Sequence, residues 1–238
     1  MIINMWSGPR TLSTALMRSF ENRNDTSVWD EPMYAYYLNK TKLNHPMAKQ
    51  IIKTYETNID LLIKDMTKDY KNKIFYLKHM SHHLLRETPM EWINSGKNCF
   101  LIRDPKKVII SYSKNNIIKD SDDIGFPTQL KIFKYLKKNK QQLIVINSDD
   151  LASNPKKTLI GLCKKLNIVF NVNMLKWPKG VRKSDGIWGK VWYKNVINSD
   201  SFEKKEVKSE PITDKYKKIL FECNQIYEEL NYYNLLKD

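Results

Sequence analysis

The sequence predicts an α/β protein, and three observations carry that prediction. Short apolar or β-like runs recur at 2–6, 27–29, 74–77, 98–102 and 143–146. Stretches with helical spacing or helix-forming composition lie between them. The opening MIINMWSGPRTLSTALMRSF passes from an apolar run, through a turn holding Gly and Pro, straight into helix-forming residues. Strands that alternate with helices suit a sheet covered by helices.

The elements follow in order. Ile2 to Trp6 reads as a buried strand, and Ala15 to Phe20 as a helix beginning near Ser13 or Thr14. Between them lie Gly8, Pro9, Arg10, Thr11, Leu12, Ser13 and Thr14. A strand, tight loop and helix bring free amides and the positive end of a helix to one point, which suits an anion. Arg10 adds a bidentate cation, and Ser13 and Thr14 add hydroxyl donors. The nucleotide triphosphatase pattern G-x-x-x-x-G-K-[ST] is not met, because its second Gly and its Lys are missing. Taken alone, the loop reads equally as a phosphate-type site or as an ordinary strand–helix turn.

The second strand, Ser27-Val28-Trp29, runs into Asp30-Glu31-Pro32, and Pro32 biases Glu31 away from helix. These acids read either as solvated turn residues or as a general base whose pKa burial raises. Tyr34, Tyr36 and Tyr37 line an acceptor pocket or pack under a loop. Residues 47–70 have the spacing of one amphipathic helix. The third strand, Ile74 to Leu77, ends at Lys78-His79, with His82 and His83 close behind. With no Cys nearby these are not read as metal ligands. Lys78 or His79 instead balances charge or donates a proton, while His82 and His83 also suit a structural role at a helix start.

The fourth strand, Asn98 to Ile102, leads into Arg103-Asp104-Pro105, where Pro105 starts a helix that carries Ser111. Residues 115–142 are polar and Lys-rich, with a turn at Gly125-Phe126-Pro127 and an amphipathic helix around Leu130 to Leu136, and read as a mobile, charged insertion or a lid over the acceptor side. The fifth strand, Leu143 to Ile146, precedes Asn147 to Pro155 and a helix toward Ile168. The stretch 175–193 mixes Trp and Tyr with Lys and Arg, and the tail 201–238 opens charged and ends in an apolar-faced helix.

Composition bounds the partners. The 238 residues suit a single domain, 1–238, with a sizeable core. The 41 basic and 26 acidic residues leave a formal charge of +15, which favours polyanions. No nucleic-acid recognition module or arginine-rich tract appears, so no specific nucleic-acid partner is expected. Cys99, Cys163 and Cys223 have neither disulfide-framework nor metal spacing, which suits a reducing, cytoplasmic setting. No apolar run approaches the roughly 20 residues of a membrane span.

Three segments, in order, resemble sulfotransferases. Gly8-Pro9-Arg10-Thr11-Leu12-Ser13-Thr14 resembles the loop that cradles the 5′-phosphosulfate of 3′-phosphoadenosine 5′-phosphosulfate. The spacing R-D-P-x-x-x-x-x-S-Y, which supplies Arg103 and Ser111, resembles the segment that holds the nucleotide's 3′-phosphate. Arg182-Lys183-Ser184-Asp185-Gly186-Ile187-Trp188 resembles the late basic loop R-K-G-x-x-G-x-W, with Ser184 for its first Gly and the second Gly displaced to Gly186. The openings W-S-G-P-R and D-E-P-x-Y are similar to a bacterial-type branch.

The resemblance implies a three-layer α/β/α fold with a parallel sheet of about five strands, akin to P-loop kinases. It implies transfer of a sulfonyl group to a hydroxyl or amine of a small-molecule acceptor without a metal. Glu31 becomes the base, with His79 in reserve, beside Arg10 and Lys78. Residues 8–14, Arg103, Ser111, Arg182 and Lys183 become the donor-binding set. A small-molecule kinase or nucleotide hydrolase on the same fold is the first alternative. A non-catalytic anion- or nucleic-acid-binding protein is the second.

Overall fold

A computed structural model describes residues 1–69, 73–203 and 210–237. Strands β1 (Ile2–Ser7), β2 (Thr26–Asp30), β3 (Ile74–Met80), β4 (Lys97–Ile102) and β5 (Ile144–Asn147) form one parallel sheet in the order β2-β3-β1-β4-β5. Every strand read from the sequence is present. The helices in chain order are α1 (Ser13–Glu21), α2 (Tyr34–Thr41), α3 (Ala48–Thr54), α4 (Ile59–Met66), α5 (Pro105–Ser113) and α6 (Phe126–Lys138). They continue with α7 (Ser148–Ser153), α8 (Pro155–Leu166), α9 (Gly189–Trp192), α10 (Lys194–Ile197) and α11 (Asp214–Asn231). The charged residues 204–209 that open the tail lie outside the described residues.

Helices cover both faces of the sheet. On one, Ile3, Met5, Cys99 and Leu101 pack against Leu16 and Phe20 of α1 and Leu159 and Leu162 of α8. On the other, Trp6, Leu77, Phe100 and Val145 meet Met66 of α4 and Ile132, Phe133 and Leu136 of α6. Burial on both faces is why these strands read as unbroken apolar runs rather than as an alternation.

Three expectations change. The helix read over 47–70 is two helices, because side chains near 56–58 take the backbone amides that would continue it. The Glu56 Oε1 accepts from the amides of Thr57 and Asn58 at 2.8 and 2.6 Å. The Asn58 Oδ1 then caps α4 through Asp60 and Leu61. Residues 126–138, inside the stretch read as a charged insertion, are α6 and belong to the core. The Gln129 side-chain amide donates to the carbonyls of Trp6 and Leu101 at 3.0 and 3.2 Å, tying α6 to β1 and β4. The amphipathic helix read around Leu130 to Leu136 is therefore present, and its apolar face packs on the sheet while its lysines lie outward.

His79, the reserve base, is a core residue. Side chains alternate along a strand, so Lys78 and His79 take opposite faces of β3. The His79 ring stacks on Trp6 at 4.3 Å between centroids, and its Nε2 lies 3.1 Å from the Asn4 Oδ1. Burial pushes its pKa down to about 3, and does the same to His82.

Two stability predictions follow from the packing. A Cβ added at Gly8 would stand 2.6 Å from the Ile124 carbonyl oxygen, a backbone atom that cannot swing aside. Gly8→Ala should therefore cost about 1–3 kcal/mol, read as a lower urea midpoint with an unchanged slope. The folded chain keeps His79 and His82 neutral down to about pH 3, whereas the unfolded chain takes up these protons near 6.5. Their contribution is thus present above pH 6.5 and is lost as pH falls toward 3. Urea midpoints should drop between about pH 7 and pH 5, and a flat profile there would contradict the buried neutral histidines.

Candidate active site

The chain leaves β1 toward β2 on one side of the sheet and crosses to β4 on the other. The carboxyl ends of β3, β1 and β4 therefore converge on a crevice of the kind where open α/β sheets bind ligands. A cavity of about 360 Å³ lies there. Its walls include Pro9 to Ala15, Glu31, Tyr34, Lys78, Arg103, Ser111, Tyr112 and Tyr193. The fold thus brings most of the residues singled out from the sequence to one place.

The first loop forms one wall. Arg10 and Leu12 both have left-handed backbone, with φ of 61° and 65°. These two reversals, on either side of Thr11, turn the chain abruptly from β1 into α1. An α-helix leaves its first amides without intrahelical partners, and Leu12 gives α1 no side-chain cap. The positive end of α1 therefore opens on the cavity with its donors uncommitted to a capping side chain. The loop is braced from behind. The Thr11 hydroxyl donates to the Gly8 carbonyl at 2.8 Å, and the Ser148 hydroxyl donates to the Thr11 carbonyl at 2.6 Å. Gly8 does not reach the cavity and serves the close approach to Ile124.

Arg103 stands beside this loop. Asp104 caps α5 through the Lys106 amide at 2.8 Å and Pro105 occupies the first turn, so the Arg-Asp-Pro order places Arg103 at the junction. The Arg103 Nη1 donates to the Arg10 carbonyl at 2.6 Å, and its buried Nε makes no hydrogen bond. Asp149 approaches that Nε at 3.9 Å and holds Lys107 at 2.7 Å. Ser111 lies on the same cavity, along the side of α5.

The acidic wall is a buried cluster. The Lys78 side chain is 1 % exposed. Its Nζ donates to the Asp30 Oδ1 at 2.9 Å, the Glu31 Oε1 at 2.5 Å and the Tyr193 hydroxyl at 2.8 Å. The Tyr193 hydroxyl donates to the Asp30 carboxylate, at 2.7 and 2.8 Å from its two oxygens, and accepts from the Trp188 Nε1 at 3.1 Å. Burial is the largest influence on Glu31 and pushes its pKa up; Lys78 pulls it down and Asp30 pushes it up again, with a net rise. Burial works against the Lys78 charge, but Asp30 and Glu31 outweigh it, and its pKa lies above the ordinary lysine value. Glu31 also has left-handed backbone, with φ of 45°, a conformation that non-glycine residues adopt at a cost. Beyond this cluster, His83 stacks between Tyr34 and Tyr37, and with His45 and His82 it lines the cavity.

Arg182 and Lys183 do not join the site. The Arg182 Nη2 donates to the Pro178 carbonyl at 2.8 Å and its Nε lies 3.9 Å from Glu21, while Lys183 is exposed. Asp185 turns this segment, bonding Arg18 at 2.6 Å and the Arg182 amide at 2.8 Å. The segment clamps the end of α1, and its contribution to the site is Tyr193. No sequence signal singled out Tyr193, which lies far along the chain from the acids it meets. His79 faces the opposite side of the sheet. Among the described residues, no group of three or more His, Cys, Asp or Glu side chains is placed to hold a metal ion, and no helix is long and apolar enough to cross a membrane.

Comparison with known proteins shows the family and the fold. The family model described as the sulfotransferase domain matches residues 1–227. Two relatives from Arabidopsis thaliana, branched-chain-amino-acid aminotransferase-like proteins 1 and 2, are 37 % identical over 202 residues and 31 % over 230 residues. The matches cover 84 % and 96 % of this chain, which spans only 36 % and 41 % of those relatives. The sulfotransferase domain of the Synechococcus PCC 7002 olefin synthase superposes with a TM-score of 0.60 at 14 % identity, over 97 % of this chain and 94 % of that one. The sulfotransferase domain of the curacin biosynthetic pathway gives 0.58 at 15 % identity, over 98 % of both chains. At such identities the likeness is one of fold, and that fold is the three-layer, P-loop-like architecture described above. With its family model spanning the sheet, the first loop and the acidic cluster alike, the chain belongs to the sulfotransferase domain family.

Proposed function

We propose that the protein transfers a sulfonyl group from 3′-phosphoadenosine 5′-phosphosulfate to a hydroxyl or amine of a small-molecule acceptor. The observation that carries this reading is a single cavity with an anion-binding wall and a buried carboxylate on another wall. Family membership supports the reaction class.

The donor set suits the donor molecule. Uncapped amides at the start of α1, the guanidinium of Arg10 and the hydroxyls of Ser13 and Thr14 suit a phosphosulfate. Arg103 and Ser111 suit the second phosphate, with the unpaired Arg103 Nε as a donor awaiting an acceptor. When bound, the donor supplies a sulfonyl group already activated by a phosphate leaving group. The protein's own contributions are position, charge and proton transfer. Glu31, whose pKa burial raises, takes the acceptor's proton. Lys78 holds Glu31 in place from behind, and Arg10 steadies the charge that gathers on the departing phosphate.

Adenosine 3′,5′-bisphosphate at about 100 times its dissociation constant should stabilise the fold by about 2.7 kcal/mol. The expected result is a clear rise in Tm with this ligand, absent with AMP and with Mg-ATP, and lost in Arg103→Ala. A rise with Mg-ATP alone would favour a kinase instead. Glu31→Gln should keep the bisphosphate-induced rise while lowering kcat by about 10²–10⁴-fold. Normal turnover in that variant would remove Glu31 as the base.

A further inference from the structure

We infer that Asp30 and Tyr193 are positioning residues that keep Glu31 basic, by drawing the charge and hydrogen bonds of Lys78 away from it. This inference rests on the proposed role of Glu31 as proton acceptor.

A carboxylate that faced Lys78 alone, inside the protein, would form a closed ion pair. Its pKa would fall by roughly 1–3 units, leaving a weak base. The structure avoids this outcome by counting donors. Lys78 has three N–H bonds, and they go to Asp30, Glu31 and Tyr193, so only one reaches Glu31. All the partners of Asp30 are donors: Lys78, the Tyr193 hydroxyl and the Gly186 amide at 3.1 Å. Tyr193 accepts from Lys78 and Trp188 and gives its own proton to Asp30 at 2.7 Å, while the Glu31 Oε1 lies farther from that hydroxyl, at 3.3 Å. Each of these groups is saturated by its neighbours. Glu31 meets both Lys78 and the Tyr193 hydroxyl through one oxygen, Oε1, and also lines the cavity, so it is the member of the cluster placed to accept from a ligand.

Charge counting gives the same result. Lys78 carries one positive charge against two carboxylates, so Asp30 offsets it and Glu31 is left in surplus. Other elements also face Glu31. Tyr34 on α2 and Tyr112 on α5 sense its charge. Arg10 on the first loop and His82 and His83 after β3 share its cavity. The histidines are held neutral by burial, and Arg10 stands on the donor wall. Asp30 and Lys78 are therefore the charges that hydrogen bonding fixes directly against Glu31 or its partner. Saturation of Lys78 and Asp30 depends on residues 186–193, so the segment that resembled a nucleotide-closing loop acts here on the base.

The test is the titration of Glu31 in the full-length protein, followed by carboxyl-selective isotope-edited infrared or carbon NMR and, independently, by the acid limb of the kcat/KM–pH profile. In the unmodified protein the midpoint should lie above the ordinary glutamate value of 4.5. Asp30→Asn should lower it by roughly one unit or more, and Lys78→Met should raise it, with bisphosphate binding kept in both. Opposite shifts from two neighbouring substitutions would not come from general loosening of the structure. A midpoint at or below 4.5 in the unmodified protein overturns the inference without any variant, should Asp30→Asn fail to fold. So would no shift in Asp30→Asn, or shifts of the same sign in both variants. A Glu31 that titrates as expected in a protein without sulfonyl transfer would support this charge arrangement and count against the proposed reaction alone.

Discussion

A lysine ammonium buried as deeply as that of Lys78 costs several kcal/mol in lost hydration, and it persists only where every donor finds a partner. Here the partners come from two separate parts of the chain: the adjacent Asp30 and Glu31 at the end of β2, and Tyr193 far along the sequence. Leaving such a buried charge unpaired costs on the order of 3–5 kcal/mol. The cluster therefore locks residues 186–193 over the sheet and fixes the Glu31 carboxylate at the cavity wall in one set of contacts. The left-handed backbone of Glu31 is sustained by the same contacts, together with its amide bond to the Lys78 carbonyl at 2.9 Å.

The cavity owes its two characters to parallel-sheet geometry. In a parallel sheet all strands point the same way, so their carboxyl ends and the helix starts that follow them gather on one edge. The α1 amides and Arg103 gather positive, hydrogen-bond-donating groups on part of that edge. The neighbouring strands β2 and β3 end there too, one in acids and one in a lysine, and their register pairs Asp30 with Lys78 directly. Cationic donors and a buried carboxylate thus reach a common crevice because successive strands end together, with Ser148 and Arg103 bracing the first loop.

What could be read along the chain was whatever depends on neighbours in sequence. The strands were legible because burial on both faces leaves continuous apolar runs. The first loop was legible because Gly8 to Thr14 combine turn residues with anion donors in consecutive positions. Arg103 was legible because Asp104 and Pro105 mark a helix start. Where local signals conflicted, the reading went astray. The helix around Leu130 to Leu136 was legible, but its many lysines made it read as part of an insertion rather than of the core, and Asn58 interrupted a periodicity that ran on either side of it. Arg182 and Lys183 were singled out only through the resemblance of their segment to a family loop, and contacts of Asp185 and Glu21 hold that segment against α1.

The sequence alone determined the α/β alternation, the strand–loop–helix opening and the presence of an acid at the end of the second strand. Each depends on composition and spacing over a few residues. Tertiary structure decided which of Lys78 and His79 faces the cavity, because strand alternation sends adjacent residues to opposite sides and only packing against Trp6 fixes which is which. It also decided that Tyr193 meets Asp30 across a separation of 163 residues. A hydrogen-bond network closed over such a distance leaves no periodic or local trace, since its geometry exists only once the sheet and its covering segment have come together.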